Sequence, residues 1–162
     1  MAALVLFCAA LLTASALHKV TARERLAGAA TRLAGVGAVQ GQLLLILAGT
    51  LELVAAACLI AAPLRVIGAL IAVLVWSAYA LALARRRGES LDCGCDLAER
   101  TKPVTAALVL RAAGLAALAA GIALFPAAPF TLDAPFAATG LLALYLGAGE
   151  LIAIPAAHWK VA

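Results

Sequence analysis

Apolar residues fall into five long runs, at 2–17, 43–62, 66–84, 104–125 and 136–157, separated by shorter polar stretches. A bilayer core of about 30 Å needs roughly 20 helical residues, with a range of about 17–25. Four of the runs meet that length, and the first must borrow its flanks or sit among longer neighbours. The pattern predicts an all-α integral membrane bundle of four to five transmembrane helices in one domain. Between the first two runs, at 21–33, Leu26, Ala30 and Leu33 share one helical face while Arg23, Arg25 and Arg32 point elsewhere. Such a stretch lies in the membrane interface with its apolar side down. Gly35, Gly37 and Gly41 then break it before the second run. Pro63-Leu64-Arg65 reads as a tight turn that makes the second and third runs antiparallel neighbours, and Pro126, Pro129 and Pro135 stiffen the loop before the last.

Composition agrees with this pattern. Apolar residues make up 67% of the 162 and charged residues 12%, against roughly 45–50% and 25% in soluble domains. A soluble fold of this size would need far more polar surface, so lipid is the expected solvent. The small residues Thr13-Ala14-Ser15-Ala16 look like a signal-peptide cleavage site. However, no basic segment precedes the first run, and basic residues follow it, the reverse of secretory order. The segment is therefore read as a helix.

Charge sets orientation. Lys19, Arg23, Arg25 and Arg32 follow the first run, and Arg85, Arg86, Arg87, Arg100 and Lys102 lie between the third and fourth. Lys160 follows the last, while Arg65 stands alone on the other side. If five helices alternate, the positive-inside rule predicts an outside N-terminus, a cytoplasmic C-terminus and a cytoplasmic loop at 85–103. The net charge of +4 follows from the same bias and calls for no nucleic-acid partner. Trp159 suits the interfacial belt.

Three charges interrupt the runs: Glu52, Arg111 and Glu150. Each costs about 2.5–3.5 kcal/mol on insertion scales if it faces lipid, so each should face the interior and find a partner. Arg111 and Glu150 lie at similar depth, roughly 10 Å from the inner ends of consecutive antiparallel helices, which predicts an ion pair between them. Glu52 lies near mid-span, within reach of Lys19 rising from the end of the first run or of Arg111. These residues read as a polar clamp that fixes helix packing, or as a cavity that handles protons or a ligand, lined also by His18, Trp76 and Tyr79. Small residues four apart, Gly68 with Ala72, Ala117 with Gly121 and Ala143 with Gly147, are candidates for close helix contact.

The strongest chemical signal is Cys93-Gly94-Cys95. It lies within residues 85–102, a segment with nine charged side chains. Two thiols one residue apart can form a strained, labile disulfide or hold a soft ion such as Cu(I) as a dithiolate. A structural zinc site would need further ligands from Asp92, Asp96 or His18, and no motif demands a resident metal or cofactor. Asp92 and Asp96 oppose thiolate formation, whereas the surrounding arginines favour it. Thr101 and Pro103 suit the cap and first turn of the following helix. Cys8 and Cys58, both near the outer surface, read as small buried packing residues, with a disulfide relay as the alternative.

The arrangement resembles the MauE family of methylamine-utilisation membrane proteins, related to DoxX-like four-helix membrane proteins. The carrying residues are His18-Lys19 closing the first run, Glu52 within the second, Asp92-Cys93-Gly94-Cys95 before the fourth, and Val109-Leu110-Arg111 within it. They span roughly residues 4–125, extending toward 154. The resemblance implies a bacterial cell-membrane protein that supports maturation of an exported, disulfide-rich client, in the family the methylamine dehydrogenase small subunit, alongside a thioredoxin-like partner. Cys93 and Cys95 would then be the redox pair of a thiol–disulfide oxidoreductase, and Glu52 and Arg111 its buried polar framework. Where the family pattern has Phe-Gly after the cysteines and Asn after the arginine, this chain has Asp96-Leu97 and Ala112, which fits a different thiol partner. Basic-residue bias also puts the thiols opposite a periplasmic client. Either the pair draws electrons from cytoplasmic thiols or the orientation is inverted. Two further classes fit the same residues: a transporter or binding protein for a soft metal or small sulfur compound, and a structural anchor for a soluble oxidoreductase.

Overall fold

The structure, a computed structural model, describes residues 1–91, 102–126 and 129–153, with 90, 91, 102, 103 and 150–153 described by backbone alone. Six helices dominate it: α1 (Ala2–Thr21), α2 (Arg23–Ala34), α3 (Ala38–Ile60), α4 (Arg65–Arg85), α5 (Ala106–Leu124) and α6 (Ala134–Ala153). Two two-residue strands, β1 (Ser90–Leu91) and β2 (Lys102–Pro103), pair antiparallel, with Ser90 opposite Pro103 and Leu91 opposite Lys102. Four segments are long and apolar enough to cross a membrane: α1, α3, α4 with its leading turn, and α5. The fold is therefore an all-α membrane bundle, with α6 as a further apolar helix.

Helix boundaries depart from the sequence pattern where polar residues find partners inside. The first helix continues past the apolar run to Thr21, taking in His18 and Lys19. Basic side chains suit the last turn of a helix, where carbonyls lack partners. The 21–33 stretch is a separate helix, α2, as its two-faced pattern predicts. It ends at Gly35, which takes the left-handed conformation (φ 68°) and returns its N–H to the Thr31 carbonyl. Gly37 then opens α3, its N–H donating to Gln40 Oε1 at 2.9 Å. Gly41 does not break the chain. It lies inside α3, where a Cβ would come within 2.9 Å of the Thr31 nitrogen and 3.0 Å of the Ala27 carbonyl oxygen, so its lack of a side chain lets α2 lie flat on the start of α3.

Residues Ala62–Leu64 form one 3-10 turn between α3 and α4, with Pro63 inside it. The two helices cross closely at Gly68, where a Cβ would lie 2.6 Å from the Leu59 nitrogen and 2.8 Å from the Ala55 carbonyl oxygen. Of the three small-residue pairs, only that of Gly68 and buried Ala72 makes such an approach; a Cβ at Gly121 or Gly147 meets nothing within 4 Å. Helix α5 starts at Ala106, with Thr105 as its extended N-cap residue. Pro103 sits in β2 instead of the helix, because its segment pairs with β1.

Within the bundle α4 packs on α5 and α3, and α3 packs on α1 and α2; α6 lies chiefly against α1. The rings of Tyr145 on α6 and Phe7 on α1 meet in a T-shaped pair, 5.8 Å between centroids and 71° between planes. The core joins Phe7, Leu12, Leu59, Trp76 and Ile122 from the four spanning helices. Two contacts fix which ends share a face. Arg86 Nε donates to the Leu33 carbonyl at 3.4 Å, joining the ends of α4 and α2. At the opposite end Arg65 Nη2 donates to the Phe125 carbonyl at 2.9 Å, joining the α3–α4 turn to the α5–α6 loop. In that loop the Thr131 hydroxyl holds the exposed Asp133 carboxyl below the usual carboxylate range.

Candidate functional site

Glu52 is the fully buried charge of the bundle's described part. Its position on α3 turns it toward α1, where the added last turn brings Lys19 opposite. Lys19 Nζ donates to Glu52 Oε1 and Oε2, each at 2.8 Å, and to Ser15 Oγ at 2.8 Å. Ser15 and Lys19 are one helical turn apart, so they present a single face. Ser15 Oγ donates to Glu52 Oε1 at 3.0 Å, and the Tyr79 hydroxyl, from α4, donates to the same oxygen at 2.8 Å. Nζ also stands 5.4 Å from the Tyr79 ring centre, within cation–π range. Three helices thus meet on one carboxylate through the side chains of Ser15, Lys19 and Tyr79.

Of the cations considered for Glu52, Lys19 fills the place. Arg111 instead lies over the Tyr145 ring, its Cζ 4.1 Å from the centroid, and its Nη1 lies 3.1 Å from where a Cβ on Gly149 would stand. Arg111 thus reaches the turn of α6 that carries Glu150. The side chain of Glu150, and with it the expected ion pair, lies outside the described residues. His18 turns toward α2, its Nε2 3.0 Å from Arg25 Nη2. A guanidinium only donates, so Nε2 is the acceptor and the ring proton sits on Nδ1. Trp76 is a core residue. Ser15 is the partner that sequence reasoning missed, since a serine in an apolar helix carries no sign of which way it faces.

Two cavities adjoin this cluster. A small one of about 60 Å³ separates it from Arg111 and is lined by Ser15, Trp76, Tyr79, Arg111 and Tyr145, among others. The larger, about 380 Å³, opens between α2, α3 and α4. Its wall is apolar except at the end where Lys19 and Tyr79 stand.

Cys93 and Cys95, together with Asp92, Asp96, Arg100 and Thr101, lie outside the described residues. Their stem is described. The Val104 N–H donates to the Glu89 carbonyl at 2.9 Å and the Gly88 N–H to the Val104 carbonyl at 3.1 Å, next to the β1–β2 pairing. Buried Val104 packs with Leu83, Ala112 and Leu33, which seats the stem on the ends of α4, α5 and α2. Cys8 is buried in the core, Cys58 is half-buried, and both are free thiols. Among the described residues no group of three or more His, Cys, Asp or Glu is placed to hold a metal ion.

A helical bundle that crosses the bilayer several times, clamped by the buried Lys19–Glu52 pair and carrying a hairpin stem at one face, defines a multi-pass integral membrane protein. Its sequence matches the model of the family described as methylamine utilisation protein MauE over residues 1–126, from α1 to just beyond α5. The chain belongs to the MauE family. No curated protein and no solved structure gives a significant match. Helix α6 follows the matched region.

Proposed function

We propose that the protein works in thiol–disulfide exchange at one membrane face, supporting maturation of an exported protein, with Cys93 and Cys95 as the exchanging pair. The observation that carries this reading is the hairpin stem. Because β1 and β2 pair, Leu91 and Lys102 stand side by side at the ends of the segment that carries Cys93 and Cys95. Gly94 gives the backbone freedom that a ring between such near thiols requires, and Arg85, Arg86 and Arg87 at the end of α4 favour the nucleophilic thiolate. In exchange, one thiolate attacks a partner disulfide, forms a mixed disulfide and is released by the second thiol. By family precedent the partner is a thioredoxin-like protein and the client a disulfide-containing exported subunit. We place the N-terminus outside and the cysteine loop in the cytoplasm, on the strength of the basic residues at that end.

The test is a Cys93→Ser/Cys95→Ser protein in cells, with the redox state of the thioredoxin-like partner and the client read by alkylation. Loss of their redox cycling is expected. Unchanged cycling defeats the proposal, and lost uptake of a soft metal in its place would favour a transporter. Labelling of the two thiols in whole cells by a membrane-impermeant reagent reports sidedness; the cytoplasmic placement predicts protection until the membrane is permeabilised.

A further inference from the structure

The larger cavity is built for hydrocarbon. Its polar end has nothing left to offer a ligand: Lys19 Nζ donates to Ser15 Oγ and to both Glu52 oxygens, and the Tyr79 hydroxyl donates to Glu52 Oε1. The rest of the wall is leucine, valine and alanine from α2, α3 and α4. Water needs two to four polar partners to occupy such a space, and an unfilled void forfeits the dispersion contacts of its lining. At about 380 Å³ the volume is that of a small-molecule pocket, roughly 300–1,000 Å³. A flexible apolar tail satisfies all of these conditions.

The cavity opens sideways. Leu44, Leu47 and Leu74 line it, yet they are 40%, 55% and 63% exposed. Its mouth therefore lies between α3 and α4, where the solvent is lipid acyl chain. Ala29 and Leu33 of the interfacial helix α2 cover it from above. An acyl chain that enters from the side carries its headgroup to the edge of α2, at the membrane surface.

Charge at that edge selects the headgroup. Leu74, Ala78 and Ala82 recur every four residues along the cavity face of α4. Arg85 follows three residues later on the same face, about 5 Å nearer the surface than Ala82. The Leu33 carbonyl, which accepts from Arg86 Nε at 3.4 Å, brings the neighbouring Arg32 to the same corner. Arg32, Arg85 and Arg87 are exposed. Glu89 is already held by Arg86 at 3.3 Å. Such a corner attracts a phosphodiester that carries no balancing ammonium.

We propose that the cleft between α2, α3 and α4 holds one anionic phospholipid, with an acyl chain in the cavity and the phosphate at Arg32 and Arg85. The assignment is independent of the thiol chemistry. Leu33 and Leu83 line the cavity and also pack against Val104 at the root of the stem, so the lipid supports the surface on which the stem is seated.

The test is native mass spectrometry of the full chain, purified in detergent and titrated with dioleoylphosphatidylglycerol or dioleoylphosphatidylcholine, which share acyl chains and differ in head charge. Wild type is expected to retain one phosphatidylglycerol at a concentration about tenfold below that needed for phosphatidylcholine. Ala48→Phe and Ala78→Phe fill the cavity from α3 and α4, and each should weaken phosphatidylglycerol retention by about tenfold. Arg32→Gln and Arg85→Gln should each weaken it by about fivefold and leave phosphatidylcholine unchanged. The thermal transition of each variant checks its folding. Equal retention of the two lipids by wild type overturns the assignment. So does a loss confined to the glutamine variants, with a folded phenylalanine variant binding like wild type, because it reports attraction at the surface without the cavity. A loss confined to the phenylalanine variants overturns the anionic head.

Discussion

At the scale of single residues, the bundle turns on the carboxylate of Glu52. Buried ion pairs contribute little net stability, yet removing one partner leaves a charge stranded, at about 3–5 kcal/mol. Lys19→Met is therefore expected to destabilise the detergent-solubilised protein by about that amount. The double variant Lys19→Met/Glu52→Gln should recover much of the loss, because no uncompensated charge remains. Thermal unfolding of the four proteins of this cycle measures the coupling, and equal losses in single and double variants would contradict the paired geometry. Tyr79→Phe removes one hydrogen bond to a charged group, worth about 1.5–3 kcal/mol, and should shift the same unfolding transition less than Lys19→Met does. Glu52 was legible in the sequence because a carboxylate inside an apolar run must be partnered. Lys19 was among its candidate partners. Ser15 was not, since its role depends on α1 continuing one turn beyond the apolar run, and that turn is helical because Glu52 and Ser15 receive the lysine.

At the scale of elements, close contact and open space sort the glycines. A methyl at Gly68 would collide with the backbone of α3, and overpacking of this kind costs about 1–3 kcal/mol. Gly68→Ala should thus lower the unfolding midpoint, whereas Gly121→Ala, with nothing within 4 Å, should leave it unchanged or raise it, since alanine is the better helix former. Reversed outcomes would mean that α3 and α4 do not cross there. Spacing alone did not separate these positions: in a chain so rich in alanine, pairs of small residues four apart recur on faces that touch nothing. The interfacial helix α2 was readable from its two faces. The cavity it covers was not, because Ala29, Ala48 and Ala78 have the same composition as the packed faces around them.

At the scale of the whole molecule, the contacts of Arg86 and Arg65 divide the polar segments into two sets. In a protein stripped of its native cysteines, Glu24→Cys and Glu89→Cys should be labelled by an impermeant reagent from one side of a sealed vesicle, and Leu64→Cys and Leu132→Cys from the other. Any mixed pattern would refute the alternation of helices. The alternation of the apolar runs had foretold this division. The place of α6 was less plain. It lies chiefly on α1, with Phe7 against Tyr145, while Arg111 of α5 reaches over the same ring. Apolar faces of similar composition do not say which helix they seek.

The ion pair has a bearing on biosynthesis. Lys19 leaves the ribosome 33 residues before Glu52, so the ammonium is already in place when the acid reaches the bilayer. The first two spans can therefore dock as a self-neutralised hairpin while the third is still being translated, and the Tyr79 hydroxyl is added to a pair already formed.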